Sequence, residues 1–411
     1  MTIQHIILLF MGMLLLAIAI EPLAEKIHLP FTAALLLIGF VVSEILVMFS
    51  VDTGIRWDNF HGLIFFVFLP VLIFEAAFNL NLRSLIKNII PVLFLAIPLM
   101  LLSTAIIAAL LYYGIGYPDG FPWVAALLSG ALLSATDPAA ILALFKKLGV
   151  PERLSILADG ESLFNDATAI VLFTLLIAIA TQSDGTTGIA DAIYAFFKTF
   201  FGGMLVGGIL GGLVFLLLPL IKNVITRGVV SLISAYISFI LAEGLLHVSG
   251  VMSVLVVGLL LGHASRNMLE KQQYGFMHEL WEYKAYVANA MLFLISGVTI
   301  QIVMFTDQWL AILMGIGASM VARLVSIMGV IPLLNYVPGV TPIDLKYRAV
   351  MYWGNIRGAV TLALALSLPI ELPYWWTIQS IAYGVVIFTI FIQATTMPLL
   401  INGLGLSKRH V

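Results

Sequence analysis

Asp159-Gly160-Glu161-Ser162-Leu163-Phe164-Asn165-Asp166 places three carboxylates close together, and no further charge follows until Asp184. An acid in such apolar surroundings is costly unless it has a partner or a task. Helical spacing sorts the stretch into faces. Ser162 and Asp166, four apart, put a hydroxyl and a carboxylate on one face. Glu161 and Asn165 share the adjacent face, and Asp159 sits about two turns from Asp166. A hydroxyl, one carboxylate and free carbonyls would make an all-oxygen, singly charged site. Such a donor set suits a hard monovalent cation and falls short of the charge that divalent ions draw. A polar network that only joins helices uses the same residue types, but three acids this close are hard to neutralise that way.

The free carbonyls have a source in Ser134-Ala135-Thr136-Asp137-Pro138. Pro138 has no N–H, clashes with the carbonyl of Ser134 and biases Asp137 away from helical angles. A helix should break there. A simple proline kink accounts for part of this, and an aspartate beside it argues for more. At membrane depth, irregular backbone survives only inside protein or along a cavity, and broken helices of this kind build ion sites. Gly354-Asn355-Ile356-Arg357-Gly358-Ala359 is the second such place, with a permanent cation between glycines. Arg357 needs a buried carboxylate, and Glu161 is the expected partner, which leaves Asp166 free to exchange ligands.

Other polar groups read more plainly. Glu75 either reaches the same site at one remove or lies near the end of its helix. Glu243 and Arg323 pair with each other or with backbone. Gly202, Gly203, Gly207, Gly208, Gly211 and Gly212 form a small-residue stripe suited to helix packing, not a nucleotide loop. Tyr374, Trp375 and Trp376 are expected interfacial anchors, and the histidines lack zinc spacing.

The elements that must position these residues follow from composition. Of 411 residues, 62% are hydrophobic and 10% charged, with a mean hydropathy of +1.12. Only a bilayer accommodates that much apolar surface. A net charge of −2 gives no basic surface for nucleic acid, and the absence of cysteine excludes disulfides, thiolate metal sites and cysteine nucleophiles. About thirteen apolar runs have bilayer-crossing length: 4–24, 30–49, 60–80, 88–115, 122–146, 154–181, 193–221, 229–247, 249–265, 278–302, 308–335, 346–369 and 374–403. The break between the eighth and ninth rests on His247 to Gly250 alone. The first run lacks a basic lead-in and is read as a retained helix, not a signal peptide. Lys26, Arg83, Lys87, Lys146, Lys147, Arg153, Lys222, Arg227, Arg266, Lys271, Lys346, Arg348, Lys408 and Arg409 fall on alternate loops and the tail. The opposite loops carry Arg56 among Asp52, Asp58, Asp119, Asp184, Asp307 and Glu371. The positive-inside rule then puts the C-terminus in the cytoplasm and, for an odd count, the N-terminus outside. Residues 1–411 are expected to form a single membrane domain with no soluble part.

Phe74-Glu75-Ala76-Ala77, Thr136-Asp137-Pro138, the 161–166 stretch and Gly354 to Ala359, in this order on these spans, resemble the NhaP/NHE-like sodium/proton exchangers, a branch of the monovalent cation/proton antiporters. The resemblance covers nearly the whole chain. It implies inverted repeats with two crossed, interrupted helices (the NhaA-like antiporter fold). It also implies a mobile core around 84–181 and 308–403, and a homodimer through helices around 1–80 and 193–265. It implies that Asp166 binds cation and proton in turn, with Thr136 and Ser162 as direct ligands of the monovalent ion and Glu75 linked through water. Asp137, Pro138 and Asn165 would support the broken ends, Glu161 would pair with Arg357, and Asp159 would mark a cytoplasmic funnel. The Asn165-Asp166 pair implies electroneutral, one-for-one exchange of Na+ or Li+ for H+. The remaining alternatives are K+/H+ or electrogenic exchange and, further off, a cation channel, which would need filter segments not visible here. An intramembrane protease would need two facing acids, whereas these share one helix. No enzyme activity is expected, nor any cofactor beyond the transported ions, and the partners are a second copy and membrane lipid, without nucleotide or nucleic acid. The resemblance places the protein in a membrane, as a multi-pass protein of a prokaryotic cell.

Overall fold

A backbone in hydrocarbon must satisfy its own N–H and C=O groups, and helix occupies every one of the apolar runs. The computed structural model describes residues 3–26, 29–49, 62–116, 120–137, 139–181 and 188–407. Pro138, the loop residues Asp52, Arg56, Asp58, Asp119 and Asp184, and the tail residues Lys408 and Arg409 lie outside them. The first helices are α1 (Ile3–Lys26), α2 (Phe31–Met48), α3 (Ile64–Asn79), α4 (Ile89–Gly114) and α5 (Trp123–Ser134). Next come α6 (Ala139–Leu148), α7 (Glu152–Thr181), α8 (Ile189–Leu217), α9 (Val224–Leu245) and α10 (Gly250–Met268). The last are α11 (Lys271–Thr299), α12 (Trp309–Leu334), α13 (Leu345–Trp353), α14 (Ala359–Leu366) and α15 (Trp375–Gly403). Among the described residues, 8 helices are long and apolar enough to cross a bilayer, and α2, α3 and α5 contain shorter apolar helices. On α8, Leu205, Ile209, Leu213 and Leu216 recur at helical spacing and are exposed, as a lipid-facing stripe requires.

The helices gather into two compact units. The first comprises Met1–His61, Ile90–Asn165 and Asn289–Val411; the second comprises Gly62–Ile89 and Asp166–Ala288. In the first, α2 and α11 cross at glycines. A Cβ on Gly39 would stand 2.6 Å from the carbonyl oxygen of Leu294, and one on Gly297 would meet that of Leu36. Without side chains the two backbones approach closely, which is where packing in lipid gets its attraction. In the second unit, Gly203 and Gly207 of α8 press on the backbone of Ser249 and Ser253, whereas Gly208 and Gly212 meet nothing within 4 Å. The glycine stripe is therefore a packing face on one side of the helix only.

The break between α9 and α10 falls at the residues the sequence singled out. His247 there takes a left-handed φ of 51°, a conformation that reverses the chain abruptly. Glu243 Oε2 accepts from the N–H of Gly250 at 2.8 Å, at the start of α10. Of the two partners expected for Glu243, backbone is the one found.

Candidate cation site

Two helices are interrupted in the first unit, both where the sequence carries a reason. α5 stops at Ser134, Ala135 turns extended (φ −62°, ψ 136°), and helix resumes as α6 at Ala139. α13 stops at Trp353, and α14 begins at Ala359 after Gly358 (φ −143°, ψ −137°). The breaks close on each other. Asp137 donates its N–H to the carbonyl of Ile356 at 2.8 Å, and its Oδ2 accepts from the N–H of Ala359 at 3.3 Å. Thr361 Oγ1 donates to the carbonyl of Leu132 at 3.1 Å. A carboxylate at the start of α14 meets N–H groups that have no intrahelical acceptor, together with the positive end of the helix dipole. Gly358 makes this possible, since any Cβ there would overlap the Asp137 carboxylate.

α7 runs past this crossing unbroken and fastens Thr136 at every polar group. Ser162 Oγ donates to the Thr136 carbonyl. Asn165 Oδ1 accepts from the Thr136 N–H at 3.3 Å, and Asn165 Nδ2 donates to Thr136 Oγ1 at 2.7 Å. Thr136, Ser162 and Asn165 are all buried. With its proton on a carbonyl, the Ser162 oxygen keeps lone pairs for an incoming cation. Asp166 follows one turn further along α7 and is half-buried, as is Asp159 two turns back. α7 carries residues of both units, and Asp166 is the first residue of the second.

Glu161 corrects the sequence reading. Its bidentate partner is Arg323 of α12, not Arg357: Nη1 donates to Oε1, and Nη2 to Oε2 at 3.1 Å. The same guanidinium donates from Nε and Nη2 to the carbonyl of Met351 at 3.2 and 3.1 Å, near the end of α13. Arg357 is held within its own unwound stretch, where Nη1 donates to the Asn355 side chain and to the Asn355 carbonyl at 3.1 Å. Its N–H donates to Thr389 Oγ1 at 3.1 Å. The physical reason is local. Unwinding frees acceptors two residues from Arg357, whereas Arg323 sits in regular helix and must look to other elements. The partner of Arg323 is thus Glu161, and not the Glu243 that the sequence offers as an alternative. Together with Ser134, Asn165 and Asn355, the three ionic groups line a small cavity of about 10 Å³, room for a water-sized body.

In the second unit, Glu75 is half-buried on α3 and its Oε1 accepts from Asn79 Nδ2 at 2.5 Å. Asn79 Oδ1 in turn meets His278 Nδ1 at 2.7 Å. Sequence reasoning assigned no role to Asn79, His278, Asn355 or Thr389. Asn79, four residues from Glu75, was the most findable of them. Among the described residues, no group of three or more His, Asp or Glu could hold a metal ion, so a site rich in carboxylates is not the pattern here.

Interrupted helices that cross at membrane depth are a recurring feature of secondary transporters. Within that class, the model of the sodium/hydrogen exchanger transmembrane family matches residues 11–403, and the chain belongs to that family. Among its relatives, the Na+/H+ antiporter ApNhaP of Aphanothece halophytica is 37% identical over 390 residues, which cover 92% of this chain and 70% of that one. The low-affinity Na+/H+ antiporter NhaS1 of Synechocystis is 35% identical over 397 residues, covering 94% and 71%. The solved structure of the sodium proton antiporter MjNhaP1 from Methanocaldococcus jannaschii shares the fold, with a TM-score of 0.83 at 19% identity over 98% of this chain and 99% of that one. The protein is an integral, multi-pass membrane protein with prokaryotic relatives.

Proposed function

We propose that this protein is a secondary active transporter that exchanges Na+ (or Li+) for H+, one for one and without net charge, by alternating access. Cation and proton take turns on Asp166. The observation that carries the reading is the crossing of two interrupted helices whose Thr136 is gripped by Ser162, one turn before that aspartate, and by Asn165, the residue just before it. Relatives named as Na+/H+ antiporters support the choice of ions. In this reading Asp166, Ser162 and Thr136 bind the ion, and Glu75 supports it through water. Asp137, Pro138 and Asn165 hold the broken ends, the Glu161–Arg323 pair and Arg357 brace them, and Asp159 gathers cations near the cytoplasmic mouth. The accompanying topology is about thirteen spans with the N-terminus outside and the C-terminus in the cytoplasm. The moving core lies around 84–181 and 308–403, and two copies meet through helices around 1–80 and 193–265.

A bare carboxylate is costly in apolar surroundings, and one proton or one monovalent cation relieves that cost. Only the neutralised core then crosses cheaply, so coupling needs no separate gate. The test is Asp166→Asn in proteoliposomes, followed by fluorescence dequenching. Cation-driven proton flux should vanish while the purified protein keeps its helicity and melting behaviour. Normal exchange by that variant would end this reading.

A further inference from the structure

A second polar chain runs through the second unit, from Glu75 to water. Asn79 joins Glu75 on α3 to His278 on α11 through the 2.5 and 2.7 Å contacts already described. The other ring nitrogen, His278 Nε2, stands 3.9 Å from Glu282 Oε2. The His278 and Glu282 side chains are 44% and 69% exposed, so this end of the chain is wet. Two further groups lie beside this chain. Tyr274 stacks on the imidazole with rings 8° from parallel. Arg266 of α10 donates to the Tyr274 hydroxyl at 3.2 Å and to the Asn79 carbonyl at 2.9 Å.

Chemistry fixes the roles along the chain. An ionised carboxylate only accepts, so Asn79 turns its NH2 to Glu75 and its carbonyl to His278. His278 Nδ1 therefore carries a hydrogen in either charge state, and Nε2 is the atom that gains or loses a proton beside Glu282. We propose that Asn79 and His278 are positioning residues for Glu75. They pin one of its oxygens and, when the imidazole is charged, favour its anionic form. An imidazole changes charge within about pH 5 to 8, where proton competition for Asp166 grows. Through Asn79 a charged imidazole at 278 would favour the anion of Glu75 over its acid, so the cation site should lose affinity less steeply on acidification than a lone carboxylate would. This rests on the exchange reading above.

The test is the KM for Na+ across about pH 6 to 8.5, in proteoliposomes of the full chain and of four variants: Asn79→Ala, His278→Ala, the double variant and His278→Gln. The two alanine variants should raise KM roughly three- to tenfold at the acid end, the range of a partly exposed charge-assisted hydrogen bond. Maximal rate should be kept, and the double variant should be no worse than Asn79→Ala because both act through one chain. His278→Gln keeps a neutral donor, so its KM should match the parent at alkaline pH and exceed it at acid pH. KM curves that superimpose on the parent, or lost maximal rate with KM unchanged, would overturn the proposal. If Asn79→Ala does not fold, the pH dependence of His278→Gln decides alone. An absence of cation-driven flux in the parent itself would instead condemn the exchange reading.

Discussion

Two arginines and one glutamate near the crossing separate what charge requires from what geometry decides. The Glu161 side chain is 3% exposed and that of Arg323 12%, so neither charge can be left to water. Burying an ion pair gives little net stability, because desolvation offsets the attraction, but removing one partner strands the other at a cost of about 3–5 kcal/mol. Glu161→Ala should therefore lower the melting temperature sharply in a thermal-shift assay in detergent. Replacing both partners together, Glu161→Leu with Arg323→Met, should recover most of the loss, since neither charge is then buried alone. Unchanged melting in Glu161→Ala would mean the pair is not what holds α12 to α7. The sequence made it evident that each of these charges needed an opposite or an acceptor. Which arginine met the glutamate was not legible, because residues 161 and 323 come together only through the packing of α7 on α12. Thr136, Ser162 and Asn165 were more legible, because two of the three lie one turn apart on one helix and the third two residues before a proline.

At the scale of elements, the two broken helices hold each other open. Asp137 fills the role of a capping residue for α14 although it is 222 positions away in sequence, and loss of such a cap costs about 0.5–2 kcal/mol. Gly358→Ala should displace the Asp137 carboxylate by direct overlap, so it should reproduce the loss caused by Asp137→Ala. The two substitutions together should be no worse than either alone, because both abolish one contact. Asp137→Asn keeps an acceptor and should be milder. Melting temperature and initial exchange rate, measured side by side, check the series, and additive losses would refute the shared contact. Both breaks were legible because proline and flanking glycines change the backbone's own options. Their crossing was implied by the family resemblance and not by local backbone chemistry, and it turns two local defects into one site. Among the described residues, eight of the other helices have the length and hydropathy that bilayer thickness demands of a crossing run. α11 begins at Lys271, earlier than its apolar run, and its first turn is polar (Lys271, Gln272, Gln273).

For the whole molecule the question is how much charge crosses per cycle. Asn165 holds the position beside Asp166, cannot titrate, and has both amide atoms committed to Thr136. Arg357 keeps its charge at every working pH, and the Glu161 carboxylate is engaged by Arg323. In the proposed exchange Asp166 is the group that takes up either a proton or a monovalent cation, and the loaded core would then carry the same charge in both directions. Two outcomes follow. The exchange rate should be the same with and without a potassium–valinomycin clamp, because no net charge moves through the potential. The apparent KM for Na+ should rise as pH falls on the side the site faces, since protons then hold the carboxylate. Toward alkaline pH it should flatten, and simple competition limits the steepest part to about tenfold per pH unit. A rate that follows the clamp would mean a second proton travels with the core, and Asp159 on α7 would be the first residue to replace by asparagine. A KM indifferent to pH would mean that proton and cation bind different groups, and the single-carboxylate mechanism would fall with it.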